Sequence, residues 1–276
     1  MILQDYAEGM FPPKHKEEQA AFDAENAYDN TLQTLGKTPQ ELLLGAMRKP
    51  FWHGPGCAKY LHDYIRIRSS LHENGVRPPA ALLEVGCGSG WMAEFLAASG
   101  FNVLATTLNS AEAQKIQLRR QSLELKGLPA NLEFRPSPME YVHENVRDLP
   151  PFDVVYVYEA LHHAHDWRKA IQSFEALAPN GWCYIVNEPN LMHTFISYRL
   201  GRLSNTHEIG MRSSHIRRRL RQVGFTKIKL LKNRMHWWSR PIWIAAQKGT
   251  KIRHAKSGAG GYSSQARRSA ARTLAE

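Results

Sequence analysis

From Ala80 onward, short apolar runs alternate along the chain with amphipathic stretches of about a dozen residues. The apolar runs predict five buried strands, at 81–85, 101–107, 132–135, 153–158 and 182–187. The stretches between them predict helices at 91–98, 111–126 and 167–176. This alternation predicts an α/β fold with a doubly wound, mostly parallel sheet, because each helix connects two parallel strands as a crossover.

The pattern resumes after one interruption. Residues 190–211 are too polar and irregular for a simple crossover, so we expect a lid inserted after the fifth strand. A helix ending at Gln222, with Ser213 or Ser214 as its N-cap, follows the lid. Two last strands, at 225–231 and 242–247, complete a seven-stranded, Rossmann-like sheet in a domain that we expect over residues 80–248.

The two ends of the chain lack this alternation. Residues 1–79 are predicted to be helical and irregular, without a clear strand, and we expect them to form an N-terminal helical cover over the sheet domain. Residues 249–276 consist mainly of Gly, Ser, Ala and basic residues, a composition typical of a disordered tail.

The net charge of +11 is unevenly distributed over the 276 residues. Residues 212–276 contain 17 Lys/Arg and one acid, a net charge of +16, whereas residues 1–211 contain 19 Lys/Arg and 24 Asp/Glu, a net charge of −5. This distribution argues against a uniformly basic nucleic-acid-binding domain, and no specific nucleic-acid partner is expected. Contact with an anionic surface is expected, if anywhere, through residues 212–276.

The cysteines and the N-terminus indicate a cellular setting. Cys57, Cys87 and Cys183 are too few for a closed disulfide framework, and their spacing is not that of metal ligands. The first residues lack the basic and apolar regions of a signal peptide, and no apolar run reaches the ~18 residues of a membrane span. We therefore expect a reduced, cytoplasmic protein.

The most informative motif is the glycine-rich turn Gly86-Cys87-Gly88-Ser89-Gly90, which directly follows the first predicted strand. A strand, a G-x-G-x-G turn and a helix in this order are typical of a nucleotide site at the carboxyl edge of a parallel sheet. Glycines there let the backbone approach a ligand closely. Glu84, on the strand just before the turn, is costly to bury unless it meets a partner.

At these residues the sequence resembles the class I S-adenosylmethionine-dependent methyltransferases, in the manner of their small-molecule and saccharide branch. Further matches in family order are Pro150-Pro151-Phe152-Asp153, Tyr158-Glu159-Ala160-Leu161-His162-His163, and Leu177-Ala178-Pro179-Asn180-Gly181. The resemblance covers residues 80–248 and implies S-adenosylmethionine as cofactor. Carried over position by position, it implies these cofactor-binding residues: Glu84, Gly86, Cys87, Gly88, Gly90, Thr107, Leu108, Met139, Glu140 and Tyr158.

Two positions depart from the family's pattern. Thr107 stands where the family usually places an acid for the ribose hydroxyls, and Pro138 stands where an acid usually faces the adenine. A hydroxyl is a weaker partner than a carboxylate. A threonine at the position of Thr107 also occurs in the family's branch that resembles cyclopropane-fatty-acid synthases. Methyl transfer to a lipid at a membrane surface therefore stays open as one alternative. A non-catalytic, methyltransferase-like binding protein is a second alternative.

The candidate catalytic residues are His162, His163 and Glu188, because they follow the fourth and fifth strands at the ligand-binding edge. An imidazole deprotonates a hydroxyl at neutral pH, so His162 is the preferred base, for O-methylation of a small molecule or saccharide intermediate. The competing interpretations are packing beneath the cofactor for the histidines and a local cap for Glu188. We expect no metal, because His163-x-His165 has no further ligand close in sequence.

Overall fold

The computed structural model describes residues 17–28, 32–33, 36–51, 55–231 and 241–250. Within them, seven strands form one sheet in the order β3-β2-β1-β4-β5-β7-β6. The strands are β1 (Ala81–Val85), β2 (Asn102–Thr107), β3 (Leu132–Pro136), β4 (Phe152–Tyr158), β5 (Leu177–Glu188), β6 (Phe225–Leu230) and β7 (Ile242–Lys248). The first five are parallel and β7 is antiparallel to both its neighbours, which confirms the predicted, mostly parallel seven-stranded sheet.

Helices connect and flank these strands. In the described ranges they are α1 (Glu18–Asn26), α2 (Pro39–Arg48), α3 (Pro55–Glu73), α4 (Trp91–Ala98), α5 (Glu112–Leu125), α6 (Val142–Asn145), α7 (Trp167–Gln172), α8 (Leu191–Ser204) and α9 (Ser213–Gln222). None of these helices is long and apolar enough to cross a bilayer.

Both faces of the sheet are buried, and this explains the continuous apolar runs in its strands. Leu83, Val155 and Ile185 belong to the core on one face. Leu82, Val154 and Tyr184 alternate with them and belong to the core on the other face. Because neighbouring residues of a strand point to opposite faces, a strand covered by helices on both sides is apolar throughout.

The segment after β5 corrects one prediction. Residues 191–204 form the regular helix α8, so the expected irregular structure is wrong there, and a lid over residues 190–211 stays a prediction. The Asn190 side chain caps this helix by accepting a hydrogen bond from Met192 N, and Asn205 ends it with a left-handed φ of 57°. Asparagine suits both positions, as an N-cap and as a residue that tolerates positive φ. The polar residues that suggested irregularity are therefore the two ends of a helix and the chain beyond it.

Two boundaries also differ from the prediction. Strand β5 begins at Leu177, because Leu177 pairs with Phe152 across an irregularity in the β4 pairing. Helix α9 begins at Ser213 itself, after Arg212, and no side chain caps it. Ser213 and Ser214 are therefore helical residues and not N-caps.

The proposed division into a cover (1–79), a sheet domain (80–248) and a tail (249–276) stays a prediction. The described helices α1 to α3 fall in the first segment. Residues 251–276, which make up nearly all of the predicted tail, lie outside the described residues.

Candidate active site

The glycine turn between β1 and α4 is held by backbone hydrogen bonds from both sides. Gly86 N and Cys87 N donate to Thr106 O at 2.8 and 2.9 Å. The guanidinium of Arg119, which is buried on α5, donates from Nε to Ser89 O at 2.6 Å. The turn is thus fixed to β2 and to α5 before any ligand arrives, so its geometry is preorganised.

Gly90 is required at the start of α4 for a steric reason. Its φ of 71° is left-handed, and an added Cβ would overlap the Ile116 side chain of α5. A left-handed conformation is costly for a residue with a Cβ, and the buried Ile116 has little space to move. Only glycine therefore fits at position 90, where the turn packs against α5.

A cavity of about 350 Å³ opens at the carboxyl ends of β1, β2 and β4. This volume lies in the range of roughly 300–1,000 Å³ typical of ligand pockets. Seven of the predicted site residues line it: Gly86, Gly88, Thr107, Leu108, Met139, Glu140 and His163. The sequence prediction and the cavity therefore coincide on the turn after β1, the end of β2, and the segments after β3 and β4.

Gly86 and Gly88 contribute to this cavity in different ways. A Cβ on Gly86 would lie 2.7 Å from Ala160 Cβ and 2.8 Å from Met139 Cε. The Gly86 backbone therefore packs directly against these two side chains. A Cβ on Gly88 would meet no protein atom within 4 Å, so it would extend into open space. Bare backbone facing a cavity beside a helix N-terminus suits close approach by a polar ligand, and these residues fit the cofactor that the resemblance implies.

The two positions that depart from the family's pattern also lie at this cavity. Thr107 is half-buried at the end of β2, and Pro138 lines the cavity without a side-chain acceptor. Glu140 is buried and accepts a hydrogen bond from Asp166 N at 3.1 Å. Burial raises the pKa of Glu140, although this bond acts to lower it.

Three predicted cofactor residues support the turn and are absent from the cavity lining: Glu84, Cys87 and Gly90. Glu84 is buried in β1 and accepts a hydrogen bond from the Tyr156 hydroxyl at 3.0 Å. Burial raises the pKa of Glu84 to about 8, although the Tyr156 hydroxyl and the Ala93 backbone act to lower it. Burial likewise keeps the pKa of the Cys87 thiol well above its usual value.

Tyr158 is the fourth predicted cofactor-binding residue that does not line the cavity. Its hydroxyl donates to Asp63 Oδ2 of α3 at 2.8 Å, and its ring packs edge-on against Trp91 at 5.4 Å. Direct cofactor contacts of Glu84, Cys87, Gly90 and Tyr158 stay predictions, and their observed contacts are structural.

Glu188 ends β5 and holds the chain that follows β4. Its side chain is fully buried, and Oε1 accepts from Ala160 N and Leu161 N at 2.9 and 3.0 Å. Its Oε2 accepts from His162 N at 3.2 Å and from His162 Nδ1 at 2.9 Å. A carboxylate offers about four lone-pair sites, so all are used. Glu188 therefore orients His162, and its own catalytic role stays a prediction.

His162 and His163 lie at the centre of a group that we call the histidine cluster: His162, His163, His193, Glu188 and Glu208. The His162 and His163 rings are 4.1 Å apart between centroids. His162 Nε2 lies 3.9 Å from Glu208 Oε2, and His193 Nε2 lies 3.1 Å from the same oxygen. His162 is buried beside the cavity, whereas His163 lines it.

Charges surround His163 on several sides. Burial acts to lower the pKa of His163, but the Glu25 carboxylate, 3.5 Å away, together with Glu208 and Glu188, raises it to about 9. Burial also acts to raise the pKa of Glu208, but its hydrogen bond with His193 and the neighbouring histidines lower it.

Sequence reasoning missed several of these residues. Glu25 on α1 lines the cavity and accepts from His207 N at 3.0 Å, and Lys49, after α2, lines it too. Burial lowers the pKa of Lys49, while Glu159 acts to raise it. His193 lies 31 residues beyond His162 in the chain, and no local motif marks it, Glu25 or Lys49. Glu208, 46 residues beyond His162, belongs to the pair His207-Glu208, which the sequence predicts to reach over the substrate from the segment after β5. Its position beside His162 and His193 follows only from the folded chain.

Comparison with known proteins adds independent evidence. A family model described as a methyltransferase domain matches residues 59–230, more than half of the chain. The ubiquinone biosynthesis O-methyltransferase of Acinetobacter baylyi is 25% identical over 154 residues, which cover 54% of this chain and 62% of that enzyme. The enzyme of the same name from Rickettsia canadensis is 26% identical over 210 residues, covering 70% and 84%. The chain thus spans less than two thirds of the first of these relatives.

Solved structures agree on the fold. The CurJ carbon methyltransferase superimposes with a TM-score of 0.58 at 16% identity, covering 75% of this chain and 58% of that one. Magnesium protoporphyrin IX methyltransferase from Synechocystis superimposes with a TM-score of 0.51 at 16% identity, covering 67% and 82%. Together with the strand order, the glycine turn and the cavity, the family match leads to one conclusion: the chain belongs to the class I S-adenosylmethionine-dependent methyltransferases, whose cofactor is S-adenosylmethionine.

Proposed function

We propose that this protein transfers a methyl group from S-adenosylmethionine to a hydroxyl oxygen of a small molecule. The observation that carries the proposal is the buried His162, whose Nδ1 is held by Glu188 at 2.9 Å and whose chain neighbour His163 lines the cofactor cavity. An oriented general base assists when the proton of a hydroxyl must leave, and it brings less advantage for an amine or thiolate. The O-methyltransferase names of the relatives from Acinetobacter and Rickettsia support the same choice of acceptor atom.

The cofactor supplies an activated methyl group on its sulfonium. The chain's contribution is to hold donor and acceptor in line, which by itself lowers the barrier strongly. Gly86 and Gly88 provide bare backbone, Thr107 provides a hydroxyl at the end of β2, and Met139 provides an apolar wall. These four residues are the proposed cofactor contacts.

The acceptor is assigned to the side of the cavity that carries the histidine cluster. Glu188 accepts from His162 Nδ1, so the neutral imidazole presents a lone pair on Nε2. That atom faces Glu208, on the segment that follows α8. The helix and the segment after it therefore form one wall of the proposed acceptor site.

Two measurements test the proposal in sequence. Isothermal titration of the full chain with S-adenosylmethionine and with S-adenosylhomocysteine tests the cofactor site. We expect saturable binding of both, and no binding at millimolar concentration would overturn the proposal. A screen of hydroxylated small molecules with radiolabelled cofactor then tests the acceptor class, and transfer of label only to amines or thiols would overturn the choice of oxygen.

A matched pair of variants tests the assignment of His162. His162→Gln should lower the turnover of the best hydroxyl acceptor by about 100-fold or more, since positioned acid–base groups contribute about 10²–10⁴-fold. His215→Gln changes an exposed histidine of α9 in the same way and should leave turnover unchanged. Equal turnover in the two variants would contradict the assignment.

A further inference from the structure

Three side chains of the kinds that bind transition metals meet within the histidine cluster. His162 follows β4, His193 lies on α8, and Glu208 follows α8. One ligand atom from each lies within 4.8 Å of those of the other two. Glu208 Oε2 is 3.1 Å from His193 Nε2 and 3.9 Å from His162 Nε2. Two ligands at about 2.0–2.1 Å from a tetrahedral metal are about 3.3 Å apart, and the two observed distances bracket that separation.

The second observation is the orientation of His162. The Glu188 carboxylate accepts from Nδ1 at 2.9 Å, so in the neutral imidazole the lone pair lies on Nε2. Nε2 then faces Glu208 Oε2, another acceptor, at a distance too long for a hydrogen bond. Two electron pairs facing each other favour a cation between them. A carboxylate that fixes the far nitrogen of a ligating histidine is also the usual outer partner of a metal-bound imidazole.

We propose that His162, His193 and Glu208 bind a divalent transition metal of the Zn²⁺ class, with Glu188 as the outer partner of His162. Two imidazoles and one carboxylate suit Zn²⁺, Fe²⁺ or Co²⁺, whereas Mg²⁺ and Ca²⁺ prefer oxygen ligands. Three protein ligands leave coordination positions open for a water or a substrate. The His193 side chain keeps 31% of its surface exposed, so the site opens to solvent beside it.

The role of this cation rests on the proposed function, although its binding does not. A cation held by these residues would bind the acceptor hydroxyl oxygen and lower its pKa, so that the proton would leave to solvent. The oxygen would then form a bond to the methyl carbon as the bond from that carbon to the sulfonium sulfur breaks, and S-adenosylhomocysteine would be the leaving group. In the metal-bound protein, His162 acts as a ligand through Nε2, and the cation takes over its action on the acceptor.

Metal binding is tested on the full chain without cofactor or acceptor. The protein is stripped with a chelator, exchanged into metal-free buffer, and titrated with Zn²⁺ and, separately, Mg²⁺ by calorimetry, with bound metal counted by mass spectrometry. We expect one tight Zn²⁺ per chain and at least 100-fold weaker binding of Mg²⁺. Co²⁺ should give the visible absorption of a nitrogen- and oxygen-ligated site.

Variants assign the ligands. His193→Ala and Glu208→Gln should each weaken Zn²⁺ binding at least tenfold and change the Co²⁺ spectrum, while the exposed His215→Ala leaves both unchanged. Circular dichroism checks that each variant is folded, and the partly exposed His193 provides the variant most tolerant of change.

Failure of this inference is distinguishable from failure of the proposed function. Absence of stoichiometric Zn²⁺ binding, or equal binding in wild type, His193→Ala and Glu208→Gln, overturns the metal site even when S-adenosylmethionine binds normally. Binding of Mg²⁺ as tight as that of Zn²⁺ overturns the assigned class of metal. Tight Zn²⁺ binding that depends on His193 and Glu208 supports the site even in a chain that binds no S-adenosylmethionine, a result that overturns the proposed function alone.

Discussion

Two buried glutamates lie on neighbouring parts of the same sheet, and their surroundings differ. Glu84 on β1 interacts with the Tyr156 hydroxyl and the Ala93 backbone, and burial still raises its pKa to about 8. Glu188 at the end of β5 receives four hydrogen bonds from nitrogen donors at 2.9–3.2 Å. Burial of a carboxylate costs free energy unless such donors replace water. We therefore expect the charged form of Glu84 to destabilise the fold behind the cofactor turn, and Glu188 to stabilise it beneath the histidine cluster.

The largest expected loss of stability comes from replacing Glu188, whose two carboxylate oxygens both accept hydrogen bonds. Glu188→Ala leaves the amides of Ala160, Leu161 and His162 without their acceptor, at about 1–3 kcal/mol for each buried donor. We expect a loss of about 4 kcal/mol or more in the free energy of unfolding, measured by urea denaturation. Glu188→Gln keeps one acceptor oxygen and should lose about half as much. A loss below about 1 kcal/mol for Glu188→Ala would remove the contrast with Glu84.

The next effect tests the cofactor turn in front of Glu84. In Gly86→Ala the new Cβ meets Ala160 and Met139 at a φ of 74°, so overpacking of about 1–3 kcal/mol adds to a left-handed cost of about 1–2 kcal/mol. We expect about 3 kcal/mol of destabilisation and the loss of S-adenosylmethionine binding. Gly88→Ala is the matched control for stability, because its Cβ meets open space and only the left-handed cost applies. Equal destabilisation in both variants would contradict the packing argument.

The third prediction tests whether the charge of Glu84 raises or lowers the free energy of unfolding. Its folded pKa of about 8 exceeds the ordinary value of 4.5, so the folded protein keeps a proton that the unfolded chain releases. Stability from this group is therefore present below about pH 5 and is lost as the pH rises towards 8, at roughly 1 kcal/mol per pH unit. Glu84→Gln should remove this loss, which amounts to about 2 kcal/mol between pH 5.5 and 7.5.

The measurement for Glu84 is the free energy of unfolding against pH for wild type, Glu84→Gln and Glu144→Gln. Glu144 is exposed, so its amide should leave the slope of the wild type unchanged. A wild-type slope that Glu84→Gln leaves intact would show that Glu84 is well satisfied in the folded state, and the comparison with Glu188 would then fail.

The contrast also separates what sequence predicts from what it does not. Strand β1 and helix α4 occur at the predicted residues, and the turn between them lines the cavity as expected, because apolar runs and glycines determine local structure. The four donors to Glu188 depend on the pairing of β4 with β5 and on the path after β4. The sequence gives no sign of a role for His193, because the polar positions of residues 190–211 predict an irregular segment where α8 lies. Sites built from one turn are therefore predictable, whereas sites built from several distant segments require the fold.

The smallest expected effect concerns Thr107, which stands in the cofactor cavity where the family usually has an acid. Thr107 lines the cavity at the end of β2, where the resemblance leads us to expect an acid that binds the ribose hydroxyls. A carboxylate forms charge-assisted hydrogen bonds that are roughly twice as strong as those of a neutral hydroxyl. Thr107→Asp should therefore tighten S-adenosylmethionine binding by about tenfold, or about 1.4 kcal/mol, measured by calorimetry.

Asn109→Asp separates this hydrogen-bonding effect from simple attraction between charges. Asn109 also lines the cavity, and its Oδ1 accepts from Ala111 N at 2.9 Å, a bond that an aspartate retains. It therefore adds the same charge two residues away without presenting it at the end of β2. If hydrogen bonds to the ribose carry the gain, Thr107→Asp should also tighten binding of S-adenosylhomocysteine, which lacks the sulfonium charge, while Asn109→Asp should leave it unchanged. Equal gains in both variants, confined to the charged cofactor, would show that Thr107 does not face the ribose, and Thr107 would then be wrong as a proposed contact of the ribose hydroxyls.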